Sequence, residues 1–166
     1  LARAGSPLRV SVGMRNSTPF LRDALAAISA RGGRKVLGVI MAAHESPASH
    51  GRYQQAVAAA LAELGTSAPE LRYTGGFHDH PGFITANVEH VAAARERLPA
   101  AQREHALLVF TAHSIPNAVA AGAPYVPELK RGAALVAGAL GITDYKLAYQ
   151  SRSGSPRDPW LEPDIN

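Results

Sequence analysis

Short apolar runs alternate with amphipathic stretches along the whole chain, and this alternation predicts an α/β fold with a mostly parallel sheet. Arg9 to Val12 reads as a first strand. Thr18 then caps a helix with Pro19 in its first turn and Leu21, Ala24, Leu25 and Ile28 on one face, and Gly32-Gly33 ends it. Val36 to Met41 is apolar apart from Gly38, the pattern of a strand covered on both faces. A second helix is expected from Arg52 to Leu64. Tyr53, Val57, Ala60, Leu61 and Leu64 form its inner stripe, and Gly65 is its stop.

The stretch Gly65 to Glu70 has the character of a linker. Beyond it come a short strand at Leu71 to Tyr73 and a helix from Pro81 to about Arg97 with Ile84, Val88, Val91 and Ala92 inward. Leu107 to Phe110 is the fourth strand, with the clearest buried pattern. A helix from Pro127 to Leu140, with Leu129, Ala133, Val136 and Leu140 inward, leads to a fifth strand at Tyr145 to Tyr149. A faint internal echo, an apolar strand followed by Ala-His and then proline three residues on, relates residues 36–47 to 107–116.

This order gathers the unusual residues. His44, His50, His78, His80, His113 and the stretch Gln150 to Asp164 all follow the C-terminal ends of expected strands, the edge where open parallel sheets bind ligands. Two residues separate His113 from the end of a buried strand, and Pro116 stiffens the loop behind it. An imidazole there can exchange a proton near neutral pH, bind a borderline divalent metal, or simply bond a neighbouring carbonyl. Position alone leaves the chemical and the structural reading about equal.

The His78-Asp79-His80 triplet reads either as half a metal site or, more simply, as a solvated turn and helix cap before Pro81. In the last loop, Gly154 and the prolines 156, 159 and 163 fix a compact shape, Ser151 and Arg152 could anchor an anion, and Trp160 reads as a core plug.

Composition narrows the chemistry. With 166 residues, 46% of them hydrophobic, the chain can bury a core, and it has no cysteine, so a metal here would be held by imidazole or oxygen. The net charge of +4 comes from scattered arginines without interleaved aromatics, which argues against nucleic acid and suits an anionic substrate. No apolar run approaches the roughly 20 residues that cross a bilayer, so a cytoplasmic location is expected, with peripheral membrane contact and a homodimer left open. A phosphate loop, a dinucleotide Gly-x-Gly-x-x-Gly and a nucleophile elbow are absent. The start at Leu1 and the stop after a motif-rich loop read as a piece of something longer.

The segment Leu108-Val109-Phe110-Thr111-Ala112-His113-Ser114-Ile115-Pro116 resembles the ferrochelatase signature. Three other stretches agree in order and spacing: Val12-Gly13-Met14-Arg15 with Pro19-Phe20; Pro124-Tyr125; and Tyr149-Gln150-Ser151-Arg152 with Gly154, followed by Trp160-Leu161 and Pro163-Asp164. The resemblance implies a chelatase-like fold of two Rossmann-like three-layer domains with mostly parallel sheets, both incomplete in this chain, dividing at about residues 1–67 and 68–166, with a porphyrin held between them. It implies insertion of ferrous iron into protoporphyrin IX or coproporphyrin III in haem biosynthesis. Porphyrin and ferrous iron are then the substrates, and no organic cofactor is required.

By the same resemblance His113 is the catalytic residue, as metal ligand or proton acceptor, and His44, Ser46, Ser114, Pro116, Tyr125, Gln150, Ser151 and Arg152 contact porphyrin. The chain departs from the family pattern at Asn117 to Ala121 and around His44, where Ala43 and Glu45 replace a proline and an aromatic. The acidic partner of the histidine belongs to a later family motif, so this piece alone is not expected to catalyse insertion. Two other readings are a non-catalytic or truncated porphyrin- or metal-binding paralogue and a related sirohydrochlorin cobalt or iron chelatase.

Overall fold

The structure, a computed structural model, describes residue 5, residues 7–155 and residues 157–166. Pro156 of the last loop therefore lies outside the described residues. The chain forms two compact units. The first takes the residues up to Met41 together with Ala48–Gly75, and the second takes Ala42–Pro47 with Gly76–Asn166.

In the first unit, α1 (Leu21–Ala30), β1 (Lys35–Gly38), α2 (Arg52–Leu64) and β2 (Glu70–Tyr73) follow in order. The two strands pair in parallel, from Lys35 opposite Glu70 to Gly38 opposite Tyr73, and α2 is the crossover that a parallel pair requires. The strand Glu70–Tyr73, which the sequence placed beyond the domain division, thus groups with the first unit. Leu25 of α1 packs on Val57 and Ala60 of α2, with Leu21, Leu61, Leu64, Leu71 and Tyr73 around them, so the apolar stripes of both helices point inward as their spacing required. Gly65, at φ +55°, ends α2.

Three details differ from the sequence reading. Arg9 to Val12 makes no ladder, and the exposed Val10 and Val12 have no neighbouring strand among the described residues to pair with. The helix begins at Leu21 with Phe20 as its cap, because the Met14 N–H donates to the Pro19 carbonyl (2.7 Å) and the Leu21 N–H to the Met14 carbonyl (3.0 Å), which commits those groups outside the helix and leaves Thr18 three residues upstream. Finally, β1 is covered on one face only. Ile40, just past the strand, is buried, while Leu37 and, beyond Gly38, Val39 and Met41 are 64%, 53% and 85% exposed, because α1 and α2 pack on the same side.

The second unit contains α3 (Pro81–Glu96), α4 (Ala100–Arg103), β3 (Leu108–His113), α5 (Asn117–Ala121), α6 (Tyr125–Ala139) and β4 (Tyr145–Gln150). β3 and β4 pair in parallel over six residues, from Leu108 opposite Tyr145 to His113 opposite Gln150. Ala112, Leu129 and Tyr149 form the core, with Tyr125, Leu147 and Leu161 packed against it.

Helix α6 buries Leu129, Gly132, Ala133, Val136 and Ala137 and is the most deeply seated element of this unit. In α3, Ile84, Val88 and Val91 turn inward, but Ala92 is exposed because the contact stripe runs on through Arg95. β3 alternates inward and outward instead of being covered on both faces, so Leu107 and Val109 are exposed. The strand also continues through His113, which the sequence had assigned to the loop.

Candidate functional site

His113 occupies the last position of β3, on its exposed face, directly before a segment held on every side. The Ser114 N–H donates to the Gln150 carbonyl (2.7 Å), and its hydroxyl, wholly buried, donates to the Leu161 carbonyl (3.0 Å). The Leu161 N–H returns a bond to the Ile115 carbonyl, and Pro116 bridges to Trp160. On the other side the Tyr125 hydroxyl donates to the His113 carbonyl at 3.0 Å. The main chain at His113 is therefore fixed by β4, by the last loop and by α6. Its imidazole faces solvent and makes no hydrogen bond or ion pair with a described residue.

The last loop acts as a brace. Trp160 is buried and donates its indole N–H to the Ser155 carbonyl (3.0 Å), which bears out the core-plug reading. The main chain of Tyr149 is bonded on both sides, to Pro163 and to Ile165. Arg152 pairs with Glu162 (3.3 Å) and Asp164 (3.2 Å), so much of its charge is already matched inside the loop. Gln150 and Ser151 are exposed beside it, and Ser151 has a positive φ of 60°.

A second cluster forms around His44 in the same unit. Its ring lies 6.2 Å from that of His78, roughly parallel, and meets the rings of Phe83 (6.4 Å) and Tyr125 (6.3 Å) edge to face. Burial lowers the pKa of His44, and the positive charge of His78 adds to the effect, so the neutral imidazole is favoured there. Glu128, in the first turn of α6, accepts the Glu45 N–H at 2.7 Å and lies 3.6 Å from His78 Nδ1. Asp79 flanks the other side of His78 at 4.0 Å and is bound by Arg131 at 3.0 Å. Gly132 allows this approach: a Cβ there would stand 3.3 Å from the His78 carbonyl oxygen.

Of the residues singled out by sequence, Tyr125 joins the two groups, touching the His44 ring and the His113 backbone. Ser46 is buried beside the His44 cluster in sequence, and Ser114, Pro116, Gln150, Ser151 and Arg152 belong to the His113 brace. His50 lies in the first unit, buried in the turn Pro47–Gly51 that precedes α2. His80 caps α3, accepting the Gly82 N–H at 3.1 Å, the structural role that Pro81 suggested.

Sequence reasoning missed Glu128 and underrated His78. The available signal was a single carboxylate in the first turn of a helix just after Pro124-Tyr125, which looks like an ordinary dipole partner. Among the described residues no group of three or more His, Cys, Asp or Glu side chains is arranged to hold a metal ion, and no helix is long and apolar enough to cross a membrane.

Parallel strand pairs joined by helices, with a histidine at the C-terminal end of β3 and a last loop that braces it, define an α/β protein of the chelatase-like class. The ferrochelatase family model matches residues 1–166, and the chain belongs to the ferrochelatase family. It is 40% identical over 168 residues to the coproporphyrin III ferrochelatase of Mycolicibacterium smegmatis, covering 99% of this chain and 49% of the relative. The same identity over 173 residues relates it to the coproporphyrin III ferrochelatase of Nocardia farcinica, again covering 99% and 49%. That of Mycobacteroides abscessus is 41% identical over 170 residues, covering 99% and 48%. The chain thus spans about half the length of the curated relatives it matches.

Proposed function

We propose that this chain is part of a ferrochelatase that inserts ferrous iron into coproporphyrin III, with His113 as metal ligand or proton acceptor. The supporting observation is the contrast at the end of β3: a main chain immobilised from three directions carries an exposed, uncommitted imidazole. Such a group extends from a fixed main chain and leaves its lone pair free to engage, which is what a metal ligand or proton acceptor requires. In the reaction ferrous iron forms bonds to the four pyrrole nitrogens as two N–H bonds break and two protons leave, so charge is conserved. The choice of coproporphyrin over protoporphyrin rests on the names of the relatives.

Around this histidine, His44, Ser46, Ser114, Pro116, Tyr125, Gln150, Ser151 and Arg152 line or support the porphyrin site. The exposed guanidinium of Arg152 is a group in the last loop suited to a substrate carboxylate, which it would meet in competition with Glu162 and Asp164. The test uses the complete protein. Coproporphyrin III and ferrous iron should yield the metalloporphyrin absorbance, and His113→Ala should abolish turnover while porphyrin still quenches the protein's fluorescence. Full turnover by His113→Ala would remove that role.

A further inference from the structure

We infer that Glu128 is a positioning residue that sets the His44 loop, and through it the affinity of the site for porphyrin. Its carboxylate is largely buried, with 12% of the side chain exposed, and a buried carboxylate must be matched by donors. One loop supplies a donor, and a second brings an imidazole close. Glu128 Oε2 accepts the main-chain N–H of Glu45, the residue next to His44, at 2.7 Å. Oε1 lies 3.6 Å from His78 Nδ1, a buried nitrogen with no hydrogen-bond partner of its own.

The two loops are also stitched to each other. Glu45 Oε1 accepts the Gly76 N–H at 2.6 Å, and the Phe77 N–H donates to the Ala43 carbonyl at 3.0 Å. One carboxylate on α6 therefore bonds the His44 segment and lies against the His78 segment, and the two imidazoles stack. One turn earlier on the same helix, Tyr125 holds the His113 carbonyl. The first turn of α6 thus registers the His44 loop against the end of β3. Glu128 makes no hydrogen bond or ion pair with His44 or His113 among the described residues; it acts through the Glu45 main chain.

The inference rests on the proposal that His44 lines the porphyrin site, and its test separates the two. In the complete protein, Glu128→Asp keeps the charge but withdraws the carboxylate by one methylene, whereas Glu128→Gln keeps the acceptor reach and loses the charge. Glu128→Asp and Glu128→Ala should raise KM for coproporphyrin III by about tenfold or more with kcat little changed, the scale of one lost charge-assisted hydrogen bond, and Glu128→Gln should restore most of it. Direct coproporphyrin III binding, read by fluorescence quenching without iron, should follow the same order. If Glu128→Ala does not fold, the comparison of Asp with Gln carries the test.

Equal KM and equal porphyrin affinity for the Asp and Gln variants would overturn the inference, as would an effect confined to the melting temperature. Porphyrin binding that follows Glu128 in a protein without metal insertion would instead support the positioning role and sink the chelatase reading.

Discussion

The Tyr125 hydroxyl donates to the main-chain carbonyl of His113 at 3.0 Å, while its ring meets that of His44 edge to face at 6.3 Å. One side chain at the start of α6 thereby connects the two histidines that the sequence places on separate strand-end loops. Burial raises the pKa of this phenol, with the neighbouring Tyr149 adding to the effect, so it remains a neutral donor across the physiological range.

Tyr125→Phe should cost about 1 kcal/mol of stability, the net value of one hydrogen bond, and lower turnover by loosening His113, with the aromatic contact to His44 retained. Chemical denaturation and steady-state metal insertion measure the two effects. The raised phenol pKa adds a pH signature. The folded state holds the proton more tightly, so the contribution is complete below the ordinary value of 10.0 and is lost as pH rises beyond it. The wild-type melting temperature should fall more steeply than that of Tyr125→Phe in that alkaline range.

His44 has the opposite sign. Its folded pKa lies below 6.5, first through burial and then through His78, so the unfolded chain binds the proton more readily. Stability is therefore full above about that value and declines as pH falls through 6.5 and below. His44→Phe replaces the imidazole by a ring that still fits between Phe83 and Tyr125 and cannot titrate. Melting curves between neutral and mildly acidic pH should be flatter for the variant. Identical curves would show that His44 is not held neutral.

Ser114→Ala should destabilise by about 1 to 2 kcal/mol, because a wholly buried hydroxyl that donates to the Leu161 carbonyl is removed and nothing can replace the donor. The change removes one of the bonds that tie the last loop to the end of β3. Hydrogen exchange should speed up at the Leu161 amide, which bonds the Ile115 carbonyl, while the amides of α3 keep wild-type rates.

Gly154→Ala tests the brace from the other end. A Cβ at that position would stand 2.9 and 3.1 Å from two ring carbons of Trp160, closer than such contacts allow. The loop or the indole must move, and the expected cost is about 1 to 3 kcal/mol. A red shift and loss of intensity in tryptophan fluorescence would report partial exposure of the ring, and an unchanged spectrum with unchanged stability would contradict this packing.

Much of this was legible in residue order. The period of Leu21, Leu25 and Ile28 and that of Tyr53, Val57, Ala60 and Leu64 set the inner faces of α1 and α2, and the bounds of α2 fell on the expected residues because Gly65 offers a backbone that no other residue adopts cheaply. The parallel pairing followed from helices long enough to serve as crossovers. The spacing of Thr111-Ala112-His113-Ser114-Ile115-Pro116 and of the last loop, Tyr149 to Asp164, marked the two segments that the fold joins through β3 and β4.

Tertiary structure alone decided the rest, because its determinants are contacts between residues far apart in the chain. Which face of β1 and β3 is covered depends on where the helices pack, and an apolar run does not record that. Arg9 to Val12 has strand composition, yet a strand is completed only by hydrogen bonds from a neighbour. Glu128 looks like a helix-dipole carboxylate in sequence, and becomes a hub only when two loops bring the Glu45 N–H and His78 to it. The sequence thus determined where the histidines stand along the chain. Their surroundings, solvent for the ring of His113 and an aromatic box for that of His44, were set by long-range burial and hydrogen bonding.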